Sequence, residues 1–116
     1  MQNTVLSFKA LGDENRFRIV MMLRVRPLCV CEMLEIVDIA GSTLSTHLKI
    51  LVNAGIIGHK KDGRWVEYFL KENVDENLFR YIERTMEDNS VLDRDRRKVL
   101  SITREVCSAA YTGKRS

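Results

Sequence analysis

Three cysteines have side chains that could do chemistry: Cys29 and Cys31, two positions apart, and Cys107. That spacing is awkward for a disulfide between the first two, but two thiolates placed this way can reach one soft metal ion. An odd number of cysteines in a chain with no visible secretory signal favours free thiols in a reducing compartment. We therefore expect a thiol site at Cys29 and Cys31, with Cys107 as the third candidate.

The local environment of these cysteines supports two interpretations. Cys29 and Cys31 fall at the predicted start of a helix, where the helix dipole lowers a thiol pKa and favours the thiolate. Cys107 falls on the last predicted helix, where a lone cysteine is as often a small core hydrophobe. The sequence thus predicts reactive thiols at the first two positions and leaves both roles open for Cys107.

A second group of residues could bind nucleic acid. No acidic residue occurs between Asp38 and Asp62, although 16 Asp and Glu are spread over the chain against 19 Lys and Arg. A net charge of +3 is too small to identify a partner, but a local window free of acid favours phosphate. The polar and basic side chains in or beside this window are Ser42, Thr43, Ser45, Thr46, His47, Lys49, Lys60, Lys61 and Arg64.

The elements that must position these groups follow from hydrophobic spacing and turn residues. Asp13 can cap the second helix, Pro27 ends it, and Ser42 or Thr43 can cap the fourth. Leu44, Leu48 and Leu51 should form the buried stripe of that fourth helix. The sequence predicts helices over residues 4–11, 13–26, 28–38, 42–54, 75–88 and 92–111, and a hairpin of residues 56–61 and 65–70 with its turn at 62–63.

The fold class is therefore mainly α with a small β-hairpin, in a winged helix-turn-helix arrangement. An α-helix has a width that the DNA major groove admits, and hydroxyl groups can bond phosphates or base edges. The hairpin tip would place its three basic side chains against the flanking backbone. Trp65 and Tyr68 are expected to form the core of this wing.

The last predicted helix suggests how two copies could meet. Leu92, Val99 and Val106 recur at seven-residue intervals, as in a helix–helix seam. We expect a homodimer whose interface uses residues 75–111 together with the first helix. The alternative is a last helix that packs on its own core.

Four segments carry a resemblance to a known family. They are residues 10–19 (ALGDENRFRI), 28–32 (LCVCE), 42–51 (STLSTHLKIL) with 54–57 (AGII), and 62–68 (DGRWVEY). Together they resemble the ArsR/SmtB family of bacterial metal-responsive winged-helix repressors. The second segment is similar to the metal box of the arsenic-responsive branch, which commonly has a third cysteine where this chain has Leu34.

The resemblance implies a homodimer that binds double-stranded, partly palindromic operator DNA and leaves it when an inducer binds. It implies Cys29 and Cys31 as metal ligands, with Cys107 as the remaining thiol. The first inducer to consider is As(III), followed by a methylated trivalent arsenical, Sb(III), and Cd(II) or Pb(II). Neither histidine lies in residues 75–111, so the interface site of the zinc and cobalt sensors is not expected.

Length and composition limit the other classes. With 116 residues, 45% of them hydrophobic and 30% charged, the chain fits one globular domain spanning residues 1–116. No stretch suits a membrane span, and we expect a cytoplasmic protein. No catalytic set or phosphate-binding glycine loop is evident, so an enzyme is not expected. Two alternatives remain: a repressor whose thiols sense redox state, and a winged-helix protein-interaction module with core cysteines.

Overall fold

The computed structural model of the chain describes residues 2–107, with side chains from Thr4 onward. It is mostly helical, with one three-stranded antiparallel sheet, and so confirms the predicted fold class. The elements are α1 (Gln2–Leu11), α2 (Glu14–Val25), β1 (Leu28–Cys29), α3 (Val30–Ile36), α4 (Gly41–Asn53), β2 (Ile57–Asp62), β3 (Trp65–Leu70), α5 (Glu76–Thr85) and α6 (Ser90–Ser101). No helix within residues 2–107 is long and apolar enough to cross a bilayer.

Side-chain caps begin two of the helices. The Asp13 carboxylate accepts a hydrogen bond from the backbone N–H of Arg16 at 3.1 Å, which confirms the predicted cap of α2. Asp75 caps α5 in the same way through Asn77. The predicted cap of α4 by Ser42 or Thr43 is wrong, because α4 begins at Gly41 and Ala40 is its N-cap. The two hydroxyls therefore lie inside the first turn of α4.

The sheet joins the thiol segment to the hairpin. Its strand order is β1–β3–β2, and Cys29 lies opposite Glu67 in the antiparallel register. The predicted helix over residues 28–38 is thus wrong at its start, because residues 28–29 pair with β3 before α3 begins. The hairpin turn lies one residue later than predicted, since Asp62 pairs with Trp65 and the turn is Gly63 and Arg64. Gly63 has φ +62°, a conformation that favours glycine.

The hydrophobic core lies under α4 and between α2, α3 and the sheet. Leu44, Leu48 and Leu51 are buried, as predicted for one face of α4. Other large side chains that complete this core include Ile19, Met22, Leu28, Met33, Ile57 and Phe79. The opposite face of α4 is left in contact with solvent.

The C-terminal part differs from the predicted single helix over residues 92–111. Helix α6 ends at Ser101, Ile102 is extended, and a further helical turn covers residues 104–107. The Arg26 guanidinium donates to the carbonyl oxygens of Val99 and Ile102 at 3.0 and 2.9 Å, which provides partners for carbonyls at the helix end. Residues 108–116, which include the predicted end of this helix at residue 111, lie outside the described residues.

The heptad stripe is divided by this break. Val99 is fully buried in the core of its own chain, whereas Val106 is 70% exposed. The prediction that Leu92, Val99 and Val106 form one continuous seam is therefore wrong for Val99. The exposed apolar side chains of α1 and α6 are the remaining candidates for the predicted dimer interface.

Candidate nucleic-acid interface and thiol site

The solvent face of α4 presents hydroxyls and one cation. Ser42, Thr43, Ser45, Thr46 and Lys49 are all exposed there, on the side opposite the leucine stripe. The Thr46 hydroxyl donates to the Ser42 carbonyl oxygen at 3.1 Å. No acidic side chain interrupts this face, since α4 contains none. The face can therefore approach phosphates and base edges without local charge repulsion.

His47 differs from its neighbours because it is held by α2. Its Nδ1 lies 3.2 Å from Arg16 Nη1, and Arg16 also donates from Nε to the Ala10 carbonyl oxygen at 2.7 Å. Since a guanidinium can only donate, Nδ1 accepts and the proton of the neutral ring is on Nε2. His47 thus links the end of α1 and the start of α2 to the polar helix.

The wing carries the other predicted cations. Lys60, Lys61 and Arg64 are exposed at or near its tip. Lys60 Nζ lies 3.7 Å from the Glu67 carboxylate, and the Arg64 guanidinium stacks over the Trp65 ring at 4.4 Å. Trp65 is half-buried, in agreement with its predicted place in the wing core. The three cations therefore surround a short hairpin next to α4.

A residue that the sequence analysis missed lies against this wing. Arg104, in the turn that follows α6, has Nη1 2.8 Å from Asp62 Oδ2 and its guanidinium 4.5 Å from the Trp65 ring centre. Trp65 therefore stacks against two guanidinium groups, those of Arg64 and Arg104. No local sequence pattern indicates this contact, because Arg104 is separated from the hairpin by α5 and α6.

The three thiols are grouped near the same turn. Cys29 and Cys107 are buried, and Cys31 is half-buried in the first turn of α3. The Cys31 thiol donates to the Arg104 carbonyl oxygen at 3.8 Å, and Cys107 lies near enough to Cys31 that each thiol shifts the pKa of the other. The Arg104 guanidinium lies near the Cys29 thiol and acts to lower its pKa, against the effect of burial. The fold thus brings Cys107 of the same chain to Cys31.

The thiols do not form a preformed three-ligand metal site. Within residues 2–107, no three Cys, His, Asp or Glu side chains are arranged to hold a metal ion. Their chemistry nevertheless suits a thiophilic ion, because sulfur is the soft donor that such ions prefer. Binding through all three thiols would require Cys29, Cys31 and Cys107 to move closer together.

The prediction of a lowered thiol pKa is wrong. Burial raises the pKa of Cys29, which the Arg104 guanidinium partly offsets. Burial also raises the pKa of Cys31, with a further increase from the Glu32 carboxylate. Burial, followed by the neighbouring Cys31 and Glu35, raises the pKa of Cys107 to about 11. These thiols are therefore protonated at neutral pH, and the helix dipole does not dominate.

Glu32 is the second residue that the sequence analysis missed. It is buried, its Oε1 accepts from the Cys29 backbone N–H at 2.9 Å, and its Oε2 accepts from Arg26 Nη2 at 2.8 Å. A glutamate three residues after the N-cap is the spacing of a capping box and could have indicated this role. Glu32 and Arg26 together connect the thiol segment to the end of α6.

Comparison with known proteins supports the winged-helix assignment. Residues 13–58 match the family described as "Bacterial regulatory protein, arsR family". The chain is 43% identical over 65 residues to the cadmium resistance transcriptional regulatory protein CadC of Listeria innocua, covering 55% of each. It is 42% identical over 66 residues to the arsenical resistance operon repressor of Bacillus subtilis, covering 56% of this chain and 63% of that protein. The match thus spans a little over half the length of these relatives.

A solved structure extends the similarity to most of the chain. HlyU from Vibrio cholerae superposes with a TM-score of 0.65 at 28% identity, covering 72% of this chain and 90% of that one. The family and the relatives above are transcriptional regulators, which confirms the prediction that this chain is no enzyme. From the matched segment, the fold and the exposed polar helix beside a basic wing, we conclude that residues 13–58 of this chain form a domain of the arsR family of bacterial regulatory proteins.

Proposed function

We propose that the protein is a repressor that binds double-stranded operator DNA as a homodimer and releases it when its thiols bind a thiophilic ion, As(III) first. The observation that carries this proposal is the grouping of Cys29, Cys31 and Cys107 around the Arg104 turn, which also contacts the wing. One small segment thus connects a soft-donor site to a basic surface. An ion bound at the thiols has a direct physical route to the DNA contacts.

The DNA contacts divide into two kinds. The exposed hydroxyls of Ser42, Thr43, Ser45 and Thr46 would face base edges and phosphates in the major groove, with Lys49 and His47 near the groove wall. Lys60, Lys61 and Arg64 would contact the flanking backbone, which adds affinity that does not depend on sequence. Two copies are needed because a palindromic operator presents its half-sites to two aligned recognition helices.

The choice of ion rests on the donors. Three sulfurs and no histidine in the described site favour trivalent arsenic, antimony, cadmium or lead over zinc. Each S–As bond forms as one hydroxyl of arsenite leaves with the thiol proton as water, so three thiols release three waters. With two thiols, two waters leave and one hydroxyl stays on arsenic. The names of the relatives, which refer to arsenical and cadmium resistance, support this class of inducer. Methylated trivalent arsenicals belong to the same class, because they form the same As–S bonds.

The test is release of a fluorescent duplex, selected from random sequence by the wild-type protein, followed by anisotropy during arsenite titration. Wild type should release the duplex, whereas Cys29→Ser and Cys31→Ser should bind it with unchanged affinity and retain it. Cys107→Ser should weaken release if that thiol is the third ligand. Release of the duplex from the Cys29→Ser, Cys31→Ser double variant at the wild-type arsenite concentration would overturn the proposal.

Redox sensing is the second candidate, favoured by the proximity of the Cys31 and Cys107 thiols, each of which shifts the pKa of the other. Hydrogen peroxide would oxidise the two thiols to a disulfide and be reduced to two waters, with the loss of two hydrogens from the protein. Intact mass after treatment separates the candidates, because peroxide lowers the mass by about 2 Da per disulfide, whereas arsenite adds arsenic. DNA release by peroxide but not by arsenite would favour the redox function.

A further inference from the structure

We propose that Arg104 is a positioning residue that pairs with Asp62 at the wing tip while the thiols are free and withdraws from it when they bind an ion. This inference rests on the proposed function, since it describes how the thiol site acts on DNA binding. The first effect of the inducer is then a change in the charge of the wing.

The wing side of Arg104 is made of three contacts. Nη1 forms an ion pair with Asp62 Oδ2 at 2.8 Å, without the alignment of a hydrogen bond, and lies 3.7 Å from Glu67 Oε2. The guanidinium also stacks on Trp65 at 4.5 Å. Asp62 is the acidic side chain next to Lys61 and Arg64, whereas Glu67 lies beside Lys60, so the pairing of Asp62 with Arg104 leaves the tip positively charged.

The thiol side of the same residue is made of two contacts. The Arg104 carbonyl oxygen accepts from the Cys31 thiol at 3.8 Å, and the nearby guanidinium acts to lower the pKa of the Cys29 thiol. Cys107 follows three residues later in the same helical turn, where its backbone N–H donates to the Thr103 carbonyl oxygen at 3.1 Å. Arg104 therefore contacts both the thiol segment and the wing.

Ion binding removes what holds Arg104 in place. Cys31 loses the proton that it donates to the Arg104 carbonyl oxygen, because each sulfur binds as a thiolate. Cys29 binds the ion through its sulfur, which is then not free to interact with the nearby Arg104 guanidinium. Because the thiols do not yet form a site, Cys107 has to approach Cys31 and Cys29, which moves the turn that carries Arg104.

The consequence for DNA is electrostatic. Without Arg104, the wing loses one positive charge, and the Asp62 carboxylate is left unpaired beside Lys61 and Arg64. A carboxylate this close to the phosphate backbone opposes binding, and fewer counterions are released. The ion thus interacts differently with the DNA-binding and released conformations, as any ligand that shifts an equilibrium must.

Trp65 reports this movement without DNA, because it is the only tryptophan of the chain. Arsenite should change the Trp65 emission of wild type and leave that of Arg104→Met unchanged. In the same variant the duplex should bind several-fold more weakly before arsenite, and arsenite should weaken it by at most about twofold. Arg97→Met, which removes an exposed arginine on α6, is the matched control and should behave as wild type.

Asp62→Asn provides a second test that does not remove a packed side chain. With no carboxylate to be left unpaired, this variant should retain tight DNA binding and lose most of the arsenite-driven release. Maleimide protection measures in every variant whether arsenite occupies the thiols. Normal protection together with wild-type release from both Arg104→Met and Asp62→Asn would overturn the inference and leave the proposed function intact. Absence of protection and release in wild type would overturn both.

Discussion

Arg18 binds both carboxylate oxygens of Asp95, with Nε 2.8 Å from Oδ2 and Nη2 3.0 Å from Oδ1. Asp95 is almost fully buried. The pair joins α2 to α6, although the two residues are 77 positions apart in the sequence. The hydrogen bond that Arg18 donates to Asp95 is the largest cause of the raised pKa of the Arg18 guanidinium. The pair therefore fixes α6 against the DNA-binding half of its own chain.

Removal of this carboxylate should destabilise the fold. Asp95→Ala leaves the Arg18 charge in a largely buried position without its partner, which costs about 3 kcal/mol of unfolding free energy. Asp93→Ala removes an exposed carboxylate from the first turn of the same helix and should cost about 0.5 kcal/mol or less. Urea unfolding followed by circular dichroism measures both, and equal losses in the two variants would contradict the buried role of Asp95.

The raised thiol pKa values predict slow alkylation at neutral pH. Because the thiolate is the reactive form, a raised pKa lowers the reactive fraction at pH 7 and moves the rate increase to higher pH. Cys107, with its pKa at about 11, should continue to gain reactivity above pH 10. Iodoacetamide labelling with peptide mass analysis gives the rate at each cysteine, and urea-unfolded protein is the control. A rate that levels off below pH 8 in the folded protein would contradict this prediction.

The parts of the site that could be predicted from the sequence are those determined by residues close together along the chain. The leucine stripe of α4 and the exposed hydroxyls opposite it follow from helical spacing, and the wing follows from strand alternation and Gly63. The grouping of Cys107 with Cys31 and of Arg104 with Asp62 depends on where α6 ends. That end coincides with hydrogen bonds from Arg26, a residue of the loop after α2, which no local pattern reveals.

The dimer interface is predicted to use exposed apolar side chains in place of the heptad seam. Phe8 on α1 and Leu100 on α6 are each 65% exposed, whereas Val99 is buried in the core of its own chain. Phe8→Glu and Leu100→Glu should each weaken dimerisation by about tenfold or more and should leave the monomer folded. Sedimentation velocity measures the association, and Ser101→Glu, at an exposed polar position on α6, is the control. Wild-type dimerisation in the Phe8→Glu, Leu100→Glu double variant would place the interface elsewhere.

The wing cations are predicted to contribute affinity without sequence preference. Lys60, Lys61 and Arg64 surround the hairpin tip, and removal of each ion pair that they form with a DNA phosphate should reduce the slope of log affinity against log salt by roughly 0.9. The triple alanine variant should therefore weaken binding to the selected duplex and to a scrambled one by similar factors. Lys71→Ala, an exposed lysine just beyond β3, should leave the slope unchanged.

Replacement of Thr43 or Ser45 should change the sequence preference of binding and not its salt dependence, because α4 is proposed to contact base edges in the major groove. Alanine at either position should change the ratio of selected to scrambled affinity by about fivefold or more, which corresponds to at least 1 kcal/mol, with little change in the salt slope. The same titrations at several salt concentrations measure both quantities. An unchanged slope in the triple wing variant would remove the wing from the interface. A uniform loss of affinity in the Thr43 and Ser45 variants would instead limit α4 to phosphate contacts, since groups that bind base edges must discriminate between sequences.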